Sequence, residues 1–182
     1  MEIREKECKS ILSDSGIYSL DYSLNPYTGC SHDCIYCYAV FMKRYTDHSE
    51  PWGEFVDVKV NAPEVLENEL RKKDPGEVLL SSVTDPYLHV EKKYELTRKL
   101  LNRLRGTKFD VSILTKSDLV LRDLDILQGF ERNKLTVGFT INFLKEDHRK
   151  NWERRASPVE NRMEALRKLS GEGIRTYAHV GP

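Results

Sequence analysis

The sequence predicts an α/β protein whose parallel sheet curls toward a barrel. Short apolar runs alternate with longer segments in which leucines recur at helical spacing. Strands that alternate with helices of roughly 10 to 15 residues indicate βαβ units, which build a parallel sheet. Right-handed crossovers in series bend such a sheet toward closure. Polar residues follow several of the apolar runs, as is typical where strand ends form a binding pocket.

Each predicted strand is a short apolar run between turn residues. The run at 77–83 shows the pattern, because Asp74-Pro75-Gly76 precedes it and Asp85-Pro86 follows it. Proline and glycine interrupt regular structure and favour turns. In chain order, strands are predicted at 55–60, 77–83, 109–114, 135–143 and 174–180.

The predicted helices fill the intervals between these strands. The segment 91–105 places its leucines on one face, and Gly106 ends it. We expect Ser157 to cap the last helix, with Gly171 and Gly173 at its end. In chain order, helices are predicted at 62–72, 91–105, 118–130 and 158–169.

The composition of the chain argues against two classes of protein, those that bind nucleic acid and those that span a membrane. The chain has 182 residues, which fits one domain, and its 29 basic and 29 acidic residues give no net charge. Nucleic-acid-binding proteins usually carry a basic excess, so the net charge does not support such a partner. No stretch approaches the roughly 18 apolar residues of a membrane span. We expect a cytoplasmic protein with reduced thiols.

Three cysteines crowd into the window C-S-H-D-C-I-Y-C, as Cys30, Cys34 and Cys37. Three thiolates so close together favour a metal or cluster bound from one loop. An iron–sulfur cluster is normally held by four cysteines, so three leave one iron open for another ligand. The spacing therefore predicts a 4Fe–4S cluster with one accessible iron.

Two other interpretations of this window remain open. A structural zinc ion needs four ligands, so Cys8 or His32 would have to complete the set, and no second cysteine pair exists. A disulfide framework suits small secreted chains, but the charged N-terminus lacks an apolar signal core. We expect Cys8 to be an isolated thiol.

Polar residues gather after four successive predicted strands. Because the carboxyl ends of parallel strands meet at one edge, we expect these residues to share a pocket. Each alone is also compatible with a turn or a helix cap. They are Ser81, Ser82, Thr84 and Asp85, then Thr115, Lys116 and Ser117, then Thr140 and Asn142, and finally His179.

Four motifs together carry a resemblance to a known family. They are N-P-Y-T-G-C-S-H-D-C-I-Y-C-Y-A, S-V-T-D-P-Y, I-L-T-K-S-D-L-V-L-R-D-L-D and R-A-S-P-V-E-N-R-M-E-A-L-R-K-L. In order and spacing they resemble the spore photoproduct lyase-like branch of the radical S-adenosylmethionine (SAM) superfamily, whose members are often labelled DNA repair photolyase. The resemblance runs from about residue 25 to residue 182.

The resemblance implies a partial (βα)6 barrel with the cluster in the loop after a first strand at 17–24. Residues 1–24 would then form an N-terminal segment with that strand, and residues 25–182 the barrel. The family normally continues beyond this point, whereas the chain stops near the fifth strand. We expect either a homodimer or a missing C-terminal partner region, because an open sheet edge invites pairing.

The resemblance also implies roles for individual side chains toward SAM. Cys30, Cys34 and Cys37 would ligate three irons. One of Tyr36 and Tyr38 would shield the cluster or adenine and the other would point into the pocket, with Tyr36 the one expected to contact SAM. Thr84 and Asp85, in the segment that begins at Ser82, would receive the SAM ammonium. Lys116 would contact SAM or its carboxylate. Thr140 and Asn142 would bind the ribose hydroxyls. Arg162 would pair with the carboxylate, unless it lies on a solvated helix face.

The implied chemistry is that of a lyase or oxidoreductase of the radical SAM type. One electron, from a flavodoxin- or ferredoxin-like donor, cleaves SAM to methionine and a 5′-deoxyadenosyl radical that abstracts hydrogen from a substrate. Spore photoproduct lyases carry a cysteine hydrogen donor where this chain has Ser82, so the substrate is open. Lesion repair or binding, and a non-catalytic iron–sulfur or zinc-binding module, remain as alternatives.

Overall fold

The computed structural model describes residues 1–181 and contains two sheets flanked by helices. The strands are β1 (Glu2–Lys6), β2 (Leu12–Asp14), β3 (Tyr22–Leu24), β4 (Tyr27–Thr28), β5 (Phe55–Lys59), β6 (Glu77–Leu80), β7 (Asp110–Thr115), β8 (Leu135–Thr140) and β9 (Arg175–His179). The α-helices are α1 (Ala62–Leu70), α2 (Glu91–Tyr94), α3 (Leu96–Leu104), α4 (Leu124–Leu127), α5 (Glu146–Trp152) and α6 (Val159–Gly171). Two 3₁₀ helices span Tyr38–Tyr45 and Asp118–Asp123.

The main sheet has the strand order β2-β3-β6-β7-β8-β9. Strands β3, β6, β7, β8 and β9 pair in parallel, and β2 pairs antiparallel with β3. One row of paired residues runs across the sheet through Leu24, Leu80, Ile113 and Val137, and all four are fully buried. The predicted α/β class and partial barrel are confirmed.

The helices cover one face of this sheet and close the core. Helix α3 buries the leucines that the sequence places on one face, and α6 contributes Ala165 and Leu169 to the same core. These side chains pack with the apolar residues of β6, β7 and β8. Burial of this apolar area is the main favourable term that holds the sheet and helices together.

Strand β5 does not join the main sheet, although its sequence gives the same strand-then-helix pattern. It pairs in parallel with β1 and antiparallel with β4, in a separate three-stranded sheet. Neither β1 nor β4 is an apolar run that the sequence distinguishes, since β1 reads EIREK and β4 has two residues. The small sheet supports the segment that leads into Cys30.

The predicted helix at 91–105 is broken into α2 and α3. Glu95, between them, has a φ of 51°, in the left-handed region. The buried Glu91 carboxylate accepts a hydrogen bond of 2.6 Å from the backbone N–H of Thr97 in the first turn of α3. Glu91 thus satisfies a free N–H at the start of α3, and this stabilises the break.

Of the two serines predicted to cap helices, one does so and the other does not. Ser117 accepts a hydrogen bond from the Leu119 N–H at 3.3 Å, as predicted for a cap. The proposed cap at Ser157 is wrong, because Pro158 occupies the N-cap position of α6. The Ser157 hydroxyl instead donates to the Asp118 carboxylate at 2.6 Å. It therefore ties the start of α6 to the turn after β7.

Strand β9 lies at the edge of the main sheet, and most of its side chains are exposed. None of the helices among residues 1–181 has the length and apolar character needed to cross a membrane.

Gly29 is required by the turn that follows β4. Its φ is +88°, and a Cβ there would lie 2.4 Å from the backbone oxygen of Phe55. Gly106 also has a positive φ, of +77°, but nothing lies within 4 Å of an added Cβ. An alanine at either position would strain the backbone, but only an alanine at position 29 would also overlap a neighbouring atom. The two substitutions therefore distinguish backbone strain from steric overlap.

We predict that Gly29→Ala lowers the free energy of unfolding by roughly 3 kcal/mol or more, because strain and overlap add. Gly106→Ala should cost only about 1–2 kcal/mol, the strain of a left-handed alanine. Urea unfolding of both variants, followed by circular dichroism, measures the difference. Equal losses would contradict the assigned contact with Phe55.

Candidate cofactor site at the cysteine loop

The cysteine loop is held by backbone hydrogen bonds to the last residue of α5 and to the segment that follows it. Cys34 forms an isolated antiparallel bridge with Glu153. The N–H of Ile35 donates to the carbonyl of Trp152 at 2.9 Å, and the N–H of Arg155 donates to the carbonyl of His32 at 3.0 Å. The loop geometry is thus fixed by the protein backbone on both sides of Cys34.

All three cysteines line one cavity at the carboxyl ends of the parallel strands. The cavity volume is about 160 Å³, and the cavity opens to solvent at one side. The predicted site residues that line it are Cys30, Cys34, Cys37, Tyr36, Tyr38, Ser82, Thr84, Asp85, Lys116 and Thr140. His32, Ser81, Val83, Leu114 and His179 are further lining residues. Polar residues from four strand ends therefore share a pocket, as expected, whereas Thr115, Ser117 and Asn142 of the expected set do not line it.

Burial opposes the ionisation of two thiols of the cysteine loop, Cys30 and Cys34. Burial raises the pKa of Cys34 to about 12, with Lys116 opposing the shift. Burial, followed by the nearby Asp85 carboxylate, raises the pKa of Cys30 still further. A bound iron would reverse this balance, because a metal ion holds its coordinating thiol as the thiolate.

The cysteines are not arranged around a single point. Among residues 1–181, no three Cys, His, Asp or Glu side chains converge closely enough to hold one metal ion. A structural zinc ion requires four ligands around one centre. The observation on this point is that the three thiols line a common cavity.

Asp85 is a structural carboxylate in this site. Its oxygens accept hydrogen bonds from the backbone N–H groups of Tyr87 and Lys116, both at 2.8 Å, and from the Thr115 hydroxyl at 2.7 Å. The His32 Nε2 lies 3.2 Å from Asp85 Oδ2. Burial opposes its charge, but His32 and these hydrogen bonds lower its pKa to about 2. The expectation that Asp85 receives the SAM ammonium does not fit, because its oxygens already have partners.

The other residues of this segment have different partners. The Thr84 hydroxyl donates to the carbonyl of Gly29 at 2.6 Å, so Thr84 ties the segment to the turn before Cys30. Ser82 Oγ accepts from the Asn25 amide at 3.3 Å, and its carbonyl accepts from the Tyr38 hydroxyl. The Ser81 hydroxyl, at the start of this segment, is buried and has no hydrogen-bond partner among the described residues, and the same holds for the Tyr87 hydroxyl.

Arg162 lies beneath the cavity wall and not in the cavity. Its side chain is fully buried, and its Nη2 lies 2.7 Å from Glu153 Oε2. It also donates to the carbonyls of Thr140 at 2.9 Å and Ser157 at 2.8 Å. The expected pairing with the SAM carboxylate is therefore corrected, and so is a solvated position, because Glu153 already neutralises the guanidinium.

Tyr36 connects this ion pair to the cavity. Its hydroxyl donates to the Glu153 carboxylate and accepts from the Asn142 amide at 2.8 Å. Asn142 lies outside the cavity, and its Oδ1 accepts from the Gly181 N–H at 3.1 Å. The expected contact of Asn142 with ribose does not fit, because its amide orients Tyr36 instead.

Lys116 and Thr140 remain in the positions expected for ligand contacts. Lys116 follows β7 and its Nζ lies 5.8 Å from the centroid of the Tyr36 ring, a cation–π arrangement. Thr140 ends β8 and lines the cavity with its side chain, while its carbonyl is bonded to Arg162. Lys116 brings positive charge to a cavity that otherwise contains Asp85 and three thiols.

The sequence did not reveal Glu153. It is fully buried, and it contacts the cysteine loop through both its backbone and its side chain. No pattern separates it from the exposed Arg154 and Arg155 that follow it. Only its position beside the R-A-S-P-V-E-N-R motif gave any sequence signal.

Comparison with known proteins decides the family. The model of the radical SAM superfamily matches residues 24–182. The chain belongs to the radical SAM superfamily. Uncharacterized protein MJ0683 of Methanocaldococcus jannaschii is 37% identical over 182 residues, which cover all of this chain and 68% of that protein. Uncharacterized protein Rv2578c of Mycobacterium tuberculosis is 29% identical over 96% of this chain and 54% of that protein.

Solved structures show the same fold in this superfamily. Spore photoproduct lyase complexed with dinucleoside spore photoproduct matches with a TM-score of 0.78 at 20% identity, over 99% of this chain. A mutant of that lyase with bound AdoMet and dinucleoside spore photoproduct matches with a TM-score of 0.74 at 19% identity. The chain spans about half of these lyase chains.

We predict that Arg162→Met lowers the free energy of unfolding by about 3–5 kcal/mol, because it leaves the Glu153 carboxylate buried and unpaired. The double variant Glu153→Leu/Arg162→Met should recover much of the loss, since it buries no charge. Urea unfolding measures both. Arg167→Met, on the exposed face of the same helix, is the matched control and should change stability little. An unfolding midpoint for Arg162→Met equal to that of Arg167→Met would contradict the assigned ion pair.

Proposed function

We propose that the protein is a radical SAM enzyme that binds a 4Fe–4S cluster through Cys30, Cys34 and Cys37. The observation that carries the proposal is that three cysteines, at this spacing, line one cavity at the strand ends of a radical SAM chain. In this family, the cluster supplies one electron that cleaves SAM to methionine and a 5′-deoxyadenosyl radical, which takes a hydrogen atom from the substrate.

The protein's own residues would bind and orient SAM within the cavity. Lys116 supplies the positive charge that suits a carboxylate, and Thr140 supplies a hydroxyl at the end of β8. Tyr36 is held in one orientation by Glu153 and Asn142, so it presents a fixed wall. Val83 and Leu114 add apolar lining, which limits water near the reacting carbon.

The reducing electron would come from a flavodoxin- or ferredoxin-like protein. No residue among those described supplies a second redox centre near the cavity, since the remaining cysteine, Cys8, lies elsewhere with its thiol 3.4 Å from the Asn61 side-chain oxygen. Cys8 therefore serves as an internal control for the cluster ligands.

We predict that Cys30→Ala, Cys34→Ala and Cys37→Ala each abolish cluster assembly, because each removes the ligand of one iron. Cys8→Ala should retain it. The measurements are iron per chain and absorbance near 400 nm after anaerobic reconstitution, followed by chromatographic detection of 5′-deoxyadenosine formed on reduction with SAM. Loss of iron in Cys8→Ala alone, or a colourless wild-type protein with one zinc ion, would rule out this ligand set.

A second candidate function is action on damaged DNA. Its support is a row of exposed aromatic rings next to the cavity, on the 3₁₀ helix that follows Cys37. Tyr38 and Tyr45 are each 67% exposed and Phe41 is 43% exposed. The Arg44 guanidinium lies 4.7 Å from the Tyr45 ring centroid and 5.5 Å from that of Phe41. Aromatic and arginine side chains of this kind stack on unpaired bases.

The residue at the position of the hydrogen-atom donor argues against efficient lesion repair. Ser82 stands where spore photoproduct lyases carry a cysteine, and an O–H bond is too strong to replace S–H as a hydrogen-atom donor. We predict that the wild-type protein repairs dinucleotide spore photoproduct inefficiently, while Ser82→Cys gains turnover. The assay is product formation under anaerobic reduction, with 5′-deoxyadenosine as the control for SAM cleavage. Efficient multiple turnover by the wild type would contradict the role assigned to this position.

A further inference from the structure

A second cavity, the outer cavity, lies beside the cysteine loop. Its volume is about 650 Å³, and it opens to solvent. Small-molecule sites usually have volumes of roughly 300 to 1,000 Å³. The wall contains Ser31 and His32 of the loop, Tyr87 from the segment after β6 and Ser117 from the turn after β7. His32 also lines the cysteine cavity, so the two cavities are neighbours, but none of the cysteines among residues 1–181 lines the outer one.

The Tyr87 hydroxyl is a buried polar group without a partner. The residue is 1% exposed and lines the outer cavity, and its hydroxyl makes no hydrogen bond within the described part of the chain. Burial, together with the Asp123 carboxylate, raises the pKa of Tyr87, so the hydroxyl keeps its proton and can donate it. Asp123 itself is already engaged, since its oxygens accept from Arg98 and Arg122. A buried hydroxyl left unpaired is costly, and in native proteins such a group usually meets a ligand or water.

Positive side chains outnumber negative ones around the outer cavity. The charged side chains that line it are those of Lys92, Arg122, Arg155 and Asp118. The two arginines are already paired with carboxylates outside the lining. The Asp118 carboxylate accepts from the Ser157 hydroxyl at 2.6 Å and from the Asn161 amide at 3.0 Å. Lys92 is exposed and forms no ion pair with the residues that the structure describes, so a ligand that pairs with it must be an anion.

We propose that the outer cavity is a second ligand site, which binds the phosphate group of a small molecule. A phosphate group has three strong acceptor oxygens, so it can use donors from several elements at once. The Lys92 ammonium would pair with its charge, and the Tyr87 hydroxyl would donate to one of its oxygens. Ser31, which is 5% exposed, brings a further hydroxyl from the cysteine loop. This inference goes beyond the proposed function, since it needs neither the cluster nor SAM.

The test measures the binding of inorganic phosphate to the purified full chain by phosphorus-31 NMR, at constant ionic strength and with acetate as competitor. Lys92→Met removes the unpaired charge, and Tyr87→Phe removes only the hydroxyl. Lys93→Met is the matched control, because Lys93 is also exposed but lies outside the cavity, with its Nζ 4.7 Å from the Tyr94 ring centroid. Tyr27→Phe is the stability control for Tyr87→Phe, because the Tyr27 hydroxyl has a partner in the Glu91 carboxylate.

We expect Lys92→Met and Tyr87→Phe each to bind phosphate roughly tenfold more weakly, and Lys93→Met to bind it as the wild type does. Tyr87→Phe should melt no lower than the wild type, because it leaves no hydrogen-bonding partner unpaired, whereas Tyr27→Phe should melt lower.

The proposal would be overturned if the wild type bound no phosphate, or if Lys92→Met and Lys93→Met weakened binding equally. It would also fail if Tyr87→Phe kept the wild-type affinity, or if acetate displaced phosphate at equal concentration, which would indicate a site for any anion. None of these measurements depends on iron or on SAM cleavage, so they leave the proposed function to its own test.

Discussion

The buried ion pair between Arg162 and Glu153 organises the whole site. Removing two charges from water is costly, and further contacts offset part of that cost, since Arg162 donates to the carbonyls of Thr140 and Ser157 and Glu153 accepts from the Tyr36 hydroxyl. These contacts join α6, the end of β8 and the cysteine loop at one point. The position of Tyr36, and of the loop backbone at Cys34, depends on that junction.

Much of the fold follows from local patterns. The apolar runs that became β6, β7 and β8 are recognisable because each contributes buried residues to one sheet and is bounded by turn residues. Strand β9 was also predicted, although most of its side chains are exposed at the sheet edge. The second sheet was not recognisable, because β1 is charged along its length and is defined only by its pairing with β5. The break at Glu95 was also hidden, since it depends on a contact between Glu91 and the next helix.

The candidate site likewise has some features that the sequence predicts and others that it does not. Cysteine spacing and polar strand ends are local signals, and those residues line one cavity. Partners were harder to predict, because a sequence shows which side chains are polar but not which polar group each one meets. Arg162 and Asp85 illustrate this, since both carry the expected charge but are already engaged by Glu153 and by His32 with Thr115.

The backbone anchoring of the cysteine loop affects the free energy with which the loop could bind the cluster of the proposed function. In small metal-binding modules the chain is disordered until the metal arrives, so binding must offset the entropy of folding. Here the carbonyl of His32 and the N–H of Ile35 are already committed to the segment at Trp152 and Arg155. These bonds are made by the polypeptide alone, so part of the conformational entropy of the loop is lost when the chain folds. Under the proposed function, correspondingly less of the binding free energy of a cluster would be used to order the loop.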